Sequence, residues 1–227
     1  LIEPNGYGGG IKSKYFLQDA NQLAPYYILT VVLITLRNTQ HSNLFRRLFL
    51  VIMLFICSYM IYNVESGSNT IAWAPIVLYF VLPFIMKRSK IFNSVTYSII
   101  YVGLFIAVFG FNIQDRFANF LNRFLGKDVT FSGRTPLWET ALEMIKERPI
   151  IGHGTTSEYN IVLRSDGTYL SAHNQFIQLT IEGGLVSLLA FCGIALVIIK
   201  KLFEFRESDA AKILSMGIFS LLIVLFS

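Results

Sequence analysis

Six stretches of almost uninterrupted apolar residues, separated by short clusters of charge, constrain this chain more than any other feature. They run from about residue 23 to 36, 48 to 64, 71 to 86, 95 to 111 and 176 to 199, and from about 213 to the last residue. Each is continuously apolar rather than alternating in period two, which favours helices over the strands of a closed barrel. Only those two structures cross a bilayer with every backbone N–H and C=O satisfied. Composition agrees: 15% of the residues are charged, where a soluble domain carries about 25%, and the mean hydropathy is +0.56. Several stretches fall short of the ~17 residues that span a hydrocarbon core, so flanking Lys and Arg must complete them by snorkelling. The expected architecture is all-α: a polytopic transmembrane bundle of about six helices, with one long extracytoplasmic loop that carries a short amphipathic helix.

The charges between the stretches set an expected orientation. The first connection carries Arg37, Arg46 and Arg47, the third Lys87, Arg88 and Lys90, and the fifth Lys200, Lys201, Arg206 and Lys212. The turn from Glu65 to Thr70 carries no Lys or Arg. Short loops rich in Lys and Arg stay cytoplasmic, which leaves the N-terminal stretch, the 65–70 turn and the 112–174 loop outside. The chain then divides into membrane helices with an external N-terminal stretch (1–111), an extracytoplasmic catalytic loop (112–174) and two further membrane helices (175–227). Most of the net charge of +5 follows from this topology. No aromatic and basic stripe accompanies it, so nucleic acid is not an expected partner. Cys57 and Cys192 lie inside apolar runs and read as small hydrophobes, not as a disulfide framework or a zinc site.

The 112–174 loop is the natural place for chemistry. Thr135-Pro136 reads as a helix start, and Leu137, Trp138, Ala141, Leu142 and Ile145 mark an apolar face at helical spacing. Glu139, Glu143 and Glu147 line another face, read as solvated, and Pro149 and Gly152 end the helix. Immediately before it, Ser132-Gly133-Arg134 places a guanidinium at a helix N-terminus, where free N–H groups and a partial positive charge suit an anion. A guanidinium fork matches phosphate oxygens in pairs; a contact with Glu139 or a lipid headgroup is the plainer reading. Arg164 precedes the Asp166-Gly167 turn, where a surface ion pair is the alternative to a second phosphate contact. His153 lies between Gly152 and Gly154, in a tight turn.

His173 and Asn174 stand at the start of the fifth apolar run. An imidazole there has an unperturbed pKa near 6.5, suited to a general base at neutral pH; a capping histidine is the bland alternative. Glu182 is one of the few charges inside an apolar run. Such carboxylates usually face a cavity or a partner; an arginine from the loop is one candidate, and an unusually long interfacial entry is the equal alternative. Gly183-Gly184 would let another backbone come close. Gly6 to Ser13 imitates a phosphate loop, but Ile11 stands where the glycine before Lys12 is needed and no apolar strand precedes it.

From Ser132 to Phe191 the chain resembles the O-antigen ligase and polymerase family of bacterial membrane glycosyltransferases. The resemblance rests on Ser132-Gly133-Arg134, on Leu137-Trp138, on Pro149-Ile150-Ile151-Gly152-His153-Gly154, and on Ala172-His173-Asn174 followed by Gly184-Leu185. Asp19-Ala20-Asn21-Gln22 is a looser match. The resemblance implies transfer of a glycan from a polyprenyl-pyrophosphate carrier to an acceptor hydroxyl on the outer face of the bacterial cell membrane. It implies inversion at the anomeric carbon, no metal and no cofactor. His173 would be the catalytic base or acceptor-orienting group, and Arg134 and Arg164 would bind the diphosphate. Asn174, His153 and Glu182 join them as substrate-binding candidates. It also implies a longer parent protein, of which this is the C-terminal part. The expected partners are the polyprenyl-pyrophosphate-linked oligosaccharide, an acceptor glycan and the lipid bilayer. A repeat-unit polymerase for capsule, exopolysaccharide or O-antigen is the leading expectation. A ligase acting on lipid A core or protein, and a flippase for lipid-linked oligosaccharides, are the alternatives. A flippase would favour broken helices and charges near the bilayer midplane.

Overall fold

A computed structural model describes residues 2–4, 11–13, 23–41, 43–63, 66–107, 135–155, 162–163, 169–170, 172 and 174–225. Helices dominate them: α1 (Ala24–Gln40), α2 (Leu44–Asn63), α3 (Gly67–Val81), α4 (Pro83–Arg88), α5 (Ser94–Phe105), α6 (Thr135–Glu147), α7 (Gln175–Glu204) and α8 (Asp209–Val224). Two short antiparallel pairs depart from the purely helical expectation: β1 (Ile2–Pro4) with β2 (Ile11–Ser13), and β3 (Val162–Leu163) with β4 (Tyr169–Leu170). Both lie outside the long apolar runs, where a local hairpin satisfies backbone groups that no helix covers. The phosphate-loop imitation falls largely on residues 5–10, outside the described residues.

Local chemistry explains where the helices begin. Ser66 caps α3 by accepting from Asn69 N–H, Asn93 caps α5 by accepting from Val95 and Thr96, and Ser208 caps α8 by accepting from Ala211. These are the short polar side chains that satisfy first-turn amides. Pro25 sits in the first turn of α1, where its missing N–H costs nothing. The third apolar run is one stretch in sequence but two helices in space. Leu82 leaves helical geometry, because a residue that precedes a proline is disfavoured in the α region.

The core centres on α8, which packs on α1, α3 and α5. Ile213 and Met216 are fully buried, and a Cβ at Gly217 would meet Val32 of α1 at 2.7 Å, so a glycine lets these two helices approach closely. The outermost helices, α2 and α7, are long and apolar enough to cross a membrane. Both present bare hydrophobic surface: Phe55 is 74% exposed and Val197 69%. Surface of that kind on a helix apolar all round is what a bilayer covers. The connections also sort by end. Lys90 of the third meets Glu207 of the fifth at 3.4 Å, and Ser94 Oγ donates to Ile199 O at 2.8 Å. The basic third and fifth connections therefore share one end of the bundle.

Candidate functional site

The fifth apolar run was expected to be a single helix, but α7 is broken. Gly184 has φ 61° and ψ −160°, outside helical space. Phe176 and Phe191, fifteen residues apart and about 22 Å apart on a straight helix, bring their ring centroids to 5.5 Å. The chain therefore turns back at Gly184. Residues 175–183 form one half-helix, and residues 185–204 form a second about 30 Å long, the thickness of a hydrocarbon core.

A break exposes amides and carbonyls that each need a partner. The turn segment 149–154, Pro-Ile-Ile-Gly-His-Gly, supplies them. Leu185 N–H donates to Pro149 O at 2.8 Å and Val186 N–H to Ile150 O at 3.2 Å, while Ile181 O accepts from His153 N–H and Glu182 O from Gly154 N–H, both at 2.8 Å. The sequence pattern now has a physical reason. A Cβ on Gly152 would meet the backbone of Glu182 and Gly183 at 2.5–2.6 Å, and one on Gly184 would run into the carbonyl of Ile150. Both glycines also have positive φ, which side chains with a Cβ disfavour. The close backbone approach expected at Gly183-Gly184 is realised here.

Glu182 and His153 thus meet at the break. The carboxylate Oε1 of Glu182 accepts from Gln178 Nε2 at 2.7 Å, a neighbour one turn earlier on its own helix. His153 Nε2 lies 2.7 Å from Met144 O. A carbonyl only accepts, so that nitrogen carries the proton and ties the turn to the end of α6. Asn174 stands at the far end of the half-helix, where its Oδ1 accepts from Phe176 and Ile177 N–H. It is 3% exposed, and among the described residues its Nδ2 has no hydrogen-bond partner. Arg134, Arg164 and His173 lie outside the described residues.

The residues flanking position 173 in sequence are both pinned. Ala172, fully buried, gives its N–H to Gln178 Oε1 at 3.0 Å and takes Trp138 Nε1–H on its carbonyl at 2.9 Å. The Trp138 bond holds α6 against the start of α7, and Ala141, Met144, Ile145, Ala172, Ile177 and Ile181 pack beneath it. As the helical spacing implied, Ala141 is buried and Glu139, Glu143 and Glu147 face outward. Sequence reading did not single out Gln178. Its signal was a polar side chain one turn after Asn174 in an otherwise apolar run. A cleft of about 240 Å³, lined by Ile34, Arg37, Asn38, Arg46 and Phe49, lies between α1 and α2 and shares no residue with the break. Among the described residues, no cluster of three or more His, Cys, Asp or Glu could hold a metal.

No curated protein and no solved structure matches the chain. The sequence pattern of one family, the O-antigen ligases, matches residues 49–192. The match begins in α2, runs through α6 and the 149–154 segment, and ends in the second half of α7. It thus contains the whole break, the segment that closes it and the pinned residues around position 173, and well over half of the sequence: this chain belongs to the O-antigen ligase family.

Proposed function

We propose that the chain polymerises lipid-linked oligosaccharides, joining repeat units carried on polyprenyl pyrophosphate into a surface polysaccharide at the outer face of a bacterial cell membrane. The family implies a membrane setting and a lipid-linked glycan substrate; the polymerase reaction is the finer reading. In it, residues 112–174 are the extracytoplasmic catalytic part, and 1–111 and 175–227 supply the membrane helices. An acceptor hydroxyl attacks the anomeric carbon as the bond from that carbon to the diphosphate oxygen breaks. His173 takes the hydroxyl proton, and the diphosphate leaves with the bonding electron pair, held by Arg134 and Arg164. A leaving group that already carries charge needs mainly fixed cations and one base.

The observation that carries this reading is the double anchorage of Ala172, with Asn174 capping the next helix. A base must be held to within a fraction of an ångström, and rigid neighbours supply that. The family's description as ligases favours a second reading, in which a finished glycan moves to lipid A core or protein. A flippase is less favoured: transporters leave half-helix ends open toward substrate, whereas here the 149–154 backbone occupies the ends at the break.

Purified protein given a polyprenyl-pyrophosphate oligosaccharide should release polyprenyl pyrophosphate and lengthen the glycan. Lengthening only when lipid A core is supplied would select the ligase. His173→Ala and Arg134→Ala should each abolish transfer while the protein still inserts; normal transfer by either variant would sink its assignment.

A further inference from the structure

Three neighbouring helices fix how far along the bundle the half-helix 175–183 begins. Along α7, Phe176 is level with Phe191, which lies about 9 Å along the axis from Leu185. Along α5, Ser94 is level with Ile199, and Tyr101 and Phe105, about 10 and 16 Å further on, both stack on Phe176 with centroids at 6.2 and 5.8 Å. Along α8, Phe219 stacks on Tyr97 at 5.0 Å, and Leu225, about 9 Å beyond it, accepts from Gln175 N–H at 3.0 Å. All three place Gln175 roughly 10 Å from the level of the break, toward the middle of the bundle. The start of the half-helix is its deep end, and Glu182, seven residues later, is its shallow end.

On this half-helix Gln175, Gln178 and Glu182 fall at i, i+3 and i+7, one edge of a helix. Gln175 is exposed, and Gln178 and Glu182 are half-buried. A flanking side packs through Ile177 and Ile181 onto α6. An exposed amide in hydrocarbon costs several kcal/mol, so Gln175 at that depth must meet water or polar substrate rather than lipid. The buried Nδ2 of Asn174 beside it, unpaired among the described residues, is a donor that a water or sugar oxygen would satisfy.

We infer that residues 175–183 are a re-entrant half-helix, rising from about 10 Å inside the membrane to its outer face. Their polar edge, Gln175–Gln178–Glu182, lines a water-filled vestibule that admits the hydroxyls of the acceptor sugar. Amide and carboxylate groups in a row suit hydroxyls, and the carboxylate disfavours an anionic ligand at that edge. The outward opening rests on the sidedness in the proposed function; the fold-back does not.

The test uses the full chain in proteoliposomes with Cys57→Ala and Cys192→Ala as background. Spin labels on Gln175→Cys and Glu204→Cys should lie about 22 Å apart if the half-helix folds back, allowing about 10 Å between neighbouring axes, and about 44 Å apart on a continuous helix. A distance near 44 Å would overturn the proposal. With Gln175→Cys alone, a membrane-impermeant cationic thiosulfonate added outside should modify the thiol and leave lipid-facing Leu189→Cys untouched. No modification, or equal modification of both, would overturn the vestibule. Modification only from the inner side would overturn the outward opening and the sidedness with it. Neither readout uses transfer activity, so loss of the catalytic reading through His173→Ala is scored separately.

Discussion

Gly184→Ala should be among the most damaging single-methyl changes in this protein, and the structure sets the size of the effect. Holding a residue with a Cβ at φ +61° and ψ −160°, a region essentially reserved for glycine, costs about 1–3 kcal/mol. The new methyl would also run into the carbonyl of Ile150, so the 149–151 turn must move away. That releases the bonds Leu185 N–H to Pro149 O and Val186 N–H to Ile150 O, each worth about 1 kcal/mol net and more if the amides find no replacement. The sum is about 3–5 kcal/mol. Gly193→Ala is the control, because it lies in the half-helix that follows the break, with nothing within 4 Å of an added Cβ. It should be neutral or stabilising by up to about 1 kcal/mol. Unfolding in mixed detergent micelles, followed by far-UV circular dichroism against the mole fraction of denaturing detergent, measures both. If Gly184→Ala stays within about 1 kcal/mol of the parent, or Gly193→Ala matches its loss, the argument that 149–154 closes the break is wrong.

Trp138→Phe keeps the aromatic volume but removes the indole donor to Ala172 O. It should lower stability by about 1–2 kcal/mol and reduce turnover more than substrate affinity, as a comparison of kcat with KM would show; an unchanged kcat would argue against a positioning role. Asn174→Ala removes the cap of α7 and should cost about 1 kcal/mol in the same unfolding assay, with Asn174→Asp and Asn174→Ser recovering most of it. Lys90→Ala should change stability by less than about 0.5 kcal/mol, because the Lys90–Glu207 pair is 79% and 61% exposed. A bifunctional thiol reagent should nonetheless join Lys90→Cys to Glu207→Cys, and failure to do so would contradict the shared end of those two connections.

The apolar runs were legible because hydrophobic burial, whether in lipid or protein, needs no partner chemistry to be read: α1, α2, α5 and α8 fall close to where their runs lie. The split between α3 and α4 carried its signal in Pro83. The fold-back of α7 was harder to see. Composition reads 175–204 as one long apolar helix, and only the pair Gly183-Gly184 hints otherwise. A glycine pair permits a close approach without saying whose backbone approaches. The partner, 149–154, precedes α7 by some twenty residues and shares no periodicity with it. For Glu182 the sequence offered a loop arginine or a long interfacial entry on equal terms, since a carboxylate in an apolar run needs a cation or water. Its observed partner, Gln178, is one helical turn away, and helical adjacency of that kind was available in the sequence. The cationic half of the proposed site, Arg134 and Arg164, together with His173, lies outside the described residues and rests on the sequence.

The closure of α7 by an earlier segment has a consequence for biogenesis. Residues 149–154 leave the ribosome before α7 does, and although His153 can already reach Met144 O, their partners at the break do not exist until Gly184 has emerged and its helix has parted. An insertion machinery that reads hydrophobicity meets residues 175–204 as one span, about 45 Å long if straight. The latch therefore waits for its lock, and the fork closes late, after synthesis of α7. Changes at Gly152 or Gly184 would accordingly be felt first as a loss of correctly assembled protein in the membrane, before any change in the speed of the enzyme that remains.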